Sequence, residues 1–356
     1  MGELLDCIKP HVRELKQYSL KPECVRIKIN QNENPWDLPQ SIKEETLRKV
    51  AEYSWSRYPT FSAHSLHEEL AQFSGWKAAG IIAGNGSNEL IQAVLMVTLG
   101  PQTRVLINEP TFALYRQISR ILGGEVISVP LSPQLTYDID AIITAINSLA
   151  PTVTIICSPN NPTGCLIRRE DLISILESSN GLVVVDEAYH EFSGQTVVPL
   201  LDDYPNLVVL RTFSKAMAMA GLRIGYLLAA PQLVQQISKA VLPYNLNVIS
   251  QTAAQIAIER YRTELTRLVG LICTERERLY HGLNEIRGIT PLESFANFIL
   301  VRSTVDPRSV FDQLLKREIL IRDVSSYPML SDCFRVSVGT PEENDSLLGA
   351  LQEIYG

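Results

Sequence analysis

The chain has 356 residues, 46% of them hydrophobic and 20% charged, with a formal net charge of −7. It is long enough for one large domain plus a smaller one, and this balance excludes a disordered chain; no stretch reaches the ~18 apolar residues of a membrane span. The negative charge, with no long Lys/Arg run, argues against nucleic acid as a partner and toward a small-molecule ligand. From about Ser65 to Ala230 short β-branched runs alternate with longer amphipathic ones, the rhythm of βαβ units. The predicted strands are Val105 to Asn108, Glu125 to Val129, Val153 to Cys157, Leu182 to Asp186, Leu207 to Arg211 and Arg223 to Leu228. Several are apolar on both faces, as buried parallel strands are. Between them, Asn88 to Leu99, Thr111 to Leu122, Ile139 to Leu149 and Arg169 to Ser178 repeat apolar residues at helical spacing.

Beyond Pro231 the pattern changes to a long helical region, Ser250 to Ile286. Short strands follow at Phe298 to Arg302 and Phe334 to Val338, with helices at Pro307 to Lys316 and Glu342 to Ile354. The expectation is an α/β fold. A large domain over 45–245, built on a mostly parallel seven-stranded sheet covered by helices, is joined by a smaller α+β domain made of 1–44 and 246–356. Six scattered cysteines without a CxxC pair predict reduced thiols. The charge-punctuated N-terminus has no apolar h-region, so no signal peptide is expected and cytoplasm is the default. His64 and His67 fall three apart on a predicted helix without acidic or sulfur companions, and no metal site is expected.

Chemistry concentrates at the carboxyl ends of three consecutive strands, where open α/β sheets bind ligands. One is followed by Ser158-Pro159-Asn160-Asn161-Pro162-Thr163-Gly164, the next ends in Asp186-Glu187-Ala188-Tyr189, and the third leads into Thr212-Phe213-Ser214-Lys215. Each motif alone has a bland reading: a solvated loop lysine, a capping aspartate. Together they meet the needs of pyridoxal phosphate: a lysine for covalent attachment, an acid for the ring nitrogen, donors for the ring oxygen and anion-binding groups for the phosphate. Two opposite unit charges about 3 Å apart at an effective dielectric of ~20 attract by roughly 5 kcal/mol, so an aspartate can hold the pyridine ring protonated. Gly84-Asn85-Gly86-Ser87-Asn88-Glu89 opens a predicted helix whose free N–H groups suit a phosphate. No Gly-Lys-Ser/Thr follows it, so it is not a Walker loop.

These motifs, with Ala220-Gly221-Leu222-Arg223, resemble the fold type I, class II aminotransferases. Asn32-Glu33-Asn34-Pro35, Arg57-Tyr58-Pro59, Pro110-Thr111-Phe112, Arg322-Asp323 and Phe334-Arg335-Val336-Ser337-Val338-Gly339 narrow the resemblance to the histidinol-phosphate aminotransferase group, over nearly the whole chain. The resemblance implies pyridoxal 5'-phosphate as cofactor. It makes Lys215 the Schiff-base lysine and proton shuttle, Asp186 the partner of the ring nitrogen, Asn161 and Tyr189 the holders of the ring oxygen, and Phe112 the aromatic stacked on the ring. Ser87, Asn88, Ser214 and Arg223 would take the phosphate, with Tyr58 reaching it from the neighbouring subunit of a homodimer. Arg335, with Arg322 and Asn32, would hold the substrate. The implied reaction is ping-pong transfer of an amino group between glutamate and imidazole-acetol phosphate. The alternatives are an aromatic amino-acid aminotransferase, a phosphorylated-amino-acid decarboxylase, and, in a different class, a non-catalytic effector-binding module. The last would want a DNA-binding segment, which the sequence lacks.

Overall fold

The computed structural model describes residues 2–17, 23–60 and 63–356. Parts of the N-terminal segment considered above, and the His64 side chain, lie outside the described residues. Strands are numbered in chain order: β1 Ile27–Lys28, β2 Ile81–Gly84, β3 Arg104–Glu109, β4 Glu125–Pro130, β5 Val153–Cys157, β6 Leu182–Asp186, β7 Leu207–Thr212, β8 Gly225–Ala229, β9 Ile289–Pro291, β10 Phe298–Ser303, β11 Ile319–Leu320, β12 Arg322–Asp323 and β13 Cys333–Ser337.

Seven of these form the central sheet, in the order β2-β8-β7-β6-β5-β3-β4. β3 to β7 pair parallel throughout, while β8 runs antiparallel to both β7 and β2. The sheet is therefore mixed but mostly parallel. Its strands are buried on both faces because successive residues serve two cores. Val183, Val185, Leu207 and Val209 join the core under helices Ile139–Leu149 and Arg169–Ser178, and Val184, Val208 and Leu210 join the one under helix Gly86–Thr98. This is why the sequence shows continuous apolar runs rather than alternation.

A second sheet, β12-β13-β10-β9, is antiparallel, and β1 pairs with β11 beside it. Helices Thr266–Asn284, Pro307–Lys316 and Pro341–Tyr355 cover it through Leu279, Leu283, Val310, Leu314, Leu347 and Leu351. Thr340 and Glu343 close a reciprocal capping box at the start of the last helix.

Several expectations need correction. The strand predicted from Arg223 begins at Gly225, because Arg223 sits in the left-handed region at φ 50°. The helix predicted from Thr111 begins at Leu114, and the one predicted from Asn88 begins at Gly86. The helical region expected over 250–286 divides into Val248–Arg260 and Thr266–Asn284, separated by a π-helical turn, Tyr261–Leu265. Leu246, Ala253, Ala254, Ile256, Ala257 and Leu265 also pack in the core of the large sheet. Among the described residues, no helix is long and apolar enough to cross a membrane.

Candidate active site

The sheet order places the chemistry. After β3 the chain adds β4 on one side and then β5 on the other, so the carboxyl ends of β3 and β5 flank the point where the strand order reverses. β5, β6 and β7 lie side by side with Cys157, Asp186 and Leu210 level in the ladder. At about 4.8 Å per strand, the segments after β5 and β7 are about 10 Å apart with β6 between them. Asn161, Asp186 and Lys215 thus converge on one cleft of about 360 Å³, which Phe112 enters from the end of β3. That volume suits a cofactor-sized ligand.

Lys215 is held inside the cleft. Its Nζ donates to the Gln31 carbonyl at 2.9 Å, and burial, followed by the nearby Arg335 cation, brings its pKa down to about 7. Asp186 is 3% exposed. Burial pushes its carboxyl up to about 6, against the opposing pull of the Tyr115 hydroxyl, which donates to Oδ2 at 2.7 Å. The Ala188 amide holds Oδ1 at 3.1 Å. The Tyr189 hydroxyl accepts from Asn32 Nδ2 at 3.0 Å, which leaves its own proton free to donate into the cleft.

A cluster of anion-binding groups lines the same cleft. Ser87 and Asn88 are in the first turn of the 13-residue helix Gly86–Thr98. Arg223 Nη1 donates to the Ser214 hydroxyl at 3.1 Å and to the Ala220 carbonyl at 3.0 Å. Two glycines make this closeness possible. A Cβ on Gly86, at φ +73°, would stand 2.5 Å from Arg223 Nη2, and one on Gly225 would stand 2.7 Å from the Ser87 amide nitrogen. Glycine at 86 leaves the space the arginine head fills, and glycine at 225 lets the strand pass against the helix start.

Two further cations of the cleft come from the second sheet. Arg322 on β12 is paired in register with Arg335 on β13, and both line the cleft. Arg335 is 6% exposed; it donates to Asn161 Oδ1 at 2.5 Å and to the Asn30 carbonyl at 2.7 Å, over the face of Phe298. Asn32 lines the same cleft, but its side chain is engaged with the Tyr189 hydroxyl and, at 3.0 Å, with that of Ser337. Geometrically it steadies Tyr189 rather than reaching into the space.

The structure therefore gathers every predicted site residue except Tyr58, which is 81% exposed and stacks on Tyr244 with ring centroids 4.6 Å apart, outside this chain's cleft. Sequence reasoning missed Tyr115, which bonds Asp186 across 71 positions of chain, and Gln31, Glu33 and Tyr327, which also line the cleft. Tyr115 falls on the helical apolar stripe after Phe112, and no local pattern marks its hydroxyl as different from a core tyrosine's. The donor set fits pyridoxal phosphate: an anion cradle at a helix start, a buried carboxylate about a sheet strand away from a buried amine, and an aromatic face at Phe112.

The family model for aminotransferase class I and II matches residues 25–351. The chain belongs to the class I and II aminotransferases. Among curated relatives, this aminotransferase is 37% identical to the histidinol-phosphate aminotransferase of Chlorobium phaeovibrioides, with 99% of this chain and 98% of the relative covered. It is 40% identical to that of Chlorobium phaeobacteroides, covering 98% and 97%. Among solved structures it is similar to histidinol-phosphate aminotransferase from Sinorhizobium meliloti in complex with pyridoxal-5'-phosphate, with a TM-score of 0.89 at 25% identity and 98% and 97% covered.

Proposed function

We propose that this aminotransferase carries pyridoxal 5'-phosphate on Lys215 and moves an amino group from glutamate to imidazole-acetol phosphate, giving 2-oxoglutarate and L-histidinol phosphate, reversibly and by a ping-pong course. What supports the substrate reading is near-full-length identity of 37–40% to relatives named for that activity, together with paired arginines that face the cleft. When bound, pyridoxal phosphate supplies an electron sink for the pair released as the Cα–H bond of the amino substrate breaks. This chain supplies the rest. The Lys215 amine, freed when substrate takes its place, removes the Cα proton and returns it to the carbon on the other side of the transferred nitrogen; a pKa near neutrality suits both directions. Asp186 keeps the ring nitrogen charged, Asn161 and Tyr189 hold the ring oxygen, Phe112 covers one ring face, and Ser87, Asn88, Ser214 and Arg223 bind the phosphate.

Arg335 and Arg322 serve as shared anchors for the two substrates, taking the carboxylates of glutamate in one half-reaction and the phosphate in the other. Replacing Arg322 with Met should lower kcat/KM for histidinol phosphate about 10- to 150-fold, the worth of a hydrogen bond to a charged group. The loss should be smaller for phenylalanine, whose only anion is its carboxylate. Steady-state rates with 2-oxoglutarate as acceptor measure this; an unchanged kcat/KM for histidinol phosphate would remove Arg322 from the substrate site.

The assembly reading is a homodimer in which each protomer's Tyr58 donates to the cofactor phosphate of its partner. It is supported by the exposure of Tyr58 beside Tyr244 and of neighbouring apolar side chains, Trp55 and Leu242 at 73% each, a surface that a second copy would cover. Tyr58→Phe should weaken cofactor retention by about 1.5–3 kcal/mol. In heterodimers of Tyr58→Phe with Lys215→Ala chains, the lysine-bearing site receives an intact Tyr58 and should regain cofactor affinity. No rescue in verified heterodimers would sink the shared site.

A further inference from the structure

We propose that Tyr115 is a positioning residue of this aminotransferase: its hydroxyl clamps the Asp186 carboxylate while its ring braces Phe112, so that one side chain sets both the acid and the aromatic face of the cofactor pocket. This rests on the cofactor reading given above. Tyr115 is in the first turn of helix Leu114–Leu122 and has no solvent exposure. Its hydroxyl donates to Asp186 Oδ2 at 2.7 Å, and its ring meets Phe112 edge-on, with centroids 5.5 Å apart at 83°. With the Ala188 amide on Oδ1, both carboxylate oxygens are tied, and the carboxylate plane is fixed before any ligand arrives. One lone pair on Oδ1 is then left to face the cleft.

The bland alternative is a core tyrosine that has parked its hydroxyl on the nearest acceptor. Two features set Tyr115 apart from that. Its acceptor is a buried carboxylate rather than a backbone carbonyl, and it lines the cleft that Asp186 and Phe112 also line. A buried carboxylate loses its charge readily, and a phenol donor favours the charged form. The other groups around Asp186 offer little help. Cys157, beside it on β5, and Tyr189 and Tyr137 are held neutral by burial. Glu187 has the same sign and is committed to Arg211 at 2.9 Å. Lys215 is the cation acting on Asp186, and it is engaged with Gln31. Removing the hydroxyl should therefore raise the acid's titration point and leave less carboxylate to hold the ring nitrogen protonated.

The test is a double-mutant cycle with Tyr115→Phe and Asp186→Asn on the full chain, read in three ways. Tyr115→Phe alone should lower kcat about 10- to 100-fold, leave KM for both substrates within about twofold, and shift the pH at which the visible band of the loaded enzyme titrates. In the Asp186→Asn background the same substitution should change kcat and the band little, because the group it acts through is gone. Equal losses in both backgrounds, or lowered thermal stability with kcat and the band unchanged, would reduce Tyr115 to a core residue and overturn the proposal. The cofactor-free chain gives an independent reading. There the Asp186-linked fall in stability with rising pH, taken as the difference from the matching Asp186→Asn chain, should reach completion about one unit higher in Tyr115→Phe than in wild type. That shift in a chain unable to bind pyridoxal phosphate would mean the cofactor reading had failed while the clamp stood; no shift would overturn the clamp.

Discussion

Lys215→Ala is expected to abolish transamination, with turnover down about 10⁴-fold or more, the upper end for a positioned proton-transfer group, before the loss of covalent attachment is counted. The fold should survive. Among the described residues, the Lys215 amine donates to the Gln31 carbonyl, and burying its ammonium is unfavourable, as its lowered pKa records. Cofactor binding should persist in weakened form, since the cradle of Ser87, Asn88, Ser214 and Arg223 and the ring contacts at Phe112 and Asp186 do not depend on the lysine. Borohydride treatment of the loaded wild-type chain should fix the cofactor on one peptide, the one containing Lys215. A label on another lysine, or substantial turnover by Lys215→Ala, would falsify the assignment.

Asp186→Asn carries the second large effect, and its sign differs between activity and stability. Asparagine keeps the size and can still accept from Tyr115, but it has no charge to hold the ring nitrogen protonated, so turnover should fall by about 10²- to 10³-fold, comparable to removing a preorganised electrostatic group. In the cofactor-free chain the same change should stabilise. The folded carboxyl titrates near 6 against an ordinary 3.8, so between those values the folded chain holds a proton that the unfolded chain has lost. Stability therefore falls as pH rises through that window, and above about pH 6 the full cost of burying the charge, on the order of 3 kcal/mol, is in force. Thermal melts at pH 7.5 should show cofactor-free Asp186→Asn above wild type, with the gap closing below about pH 4. Lys215 behaves in the mirror sense: the unfolded amine keeps its proton up to about 10.5 and the folded one only to about 7, so its cost is complete below pH 7 and fades as pH rises. The site is thus destabilised where its chemistry lies, and the cofactor's charges relieve it on binding.

Much of this was legible in the sequence because buried parallel strands and their carboxyl-terminal loops leave strong local signals. Val153 to Cys157 and Leu182 to Asp186 are predicted to the residue, since their ends are marked by polar groups that cannot continue a buried strand. β2 was not named: Ile81–Gly84 is four residues long and entirely buried, too short to distinguish from the end of a helix. The π-helical turn at Tyr261–Leu265 leaves apolar periodicity nearly intact and is invisible to it. At the site, the residues named from local motifs are brought to one cleft, whereas the Tyr115–Asp186 and Asn32–Tyr189 contacts join positions 71 and 157 apart, which no spacing rule reaches. Arg223 shows the limit of strand reasoning: its placement follows from a left-handed turn and a glycine opposite, not from a continuing strand.

A single half-reaction separates histidinol phosphate from the aromatic amino acids as the amino substrate. Loaded enzyme is mixed with L-histidinol phosphate at one equivalent per site, with no oxoacid present, and the visible band and the imidazole product are followed together. The band should be lost with up to one imidazole-acetol phosphate formed per site, and should recover on adding 2-oxoglutarate, with one glutamate released for each site restored. A band unmoved by histidinol phosphate but discharged by phenylalanine or tyrosine would contradict the proposed substrate.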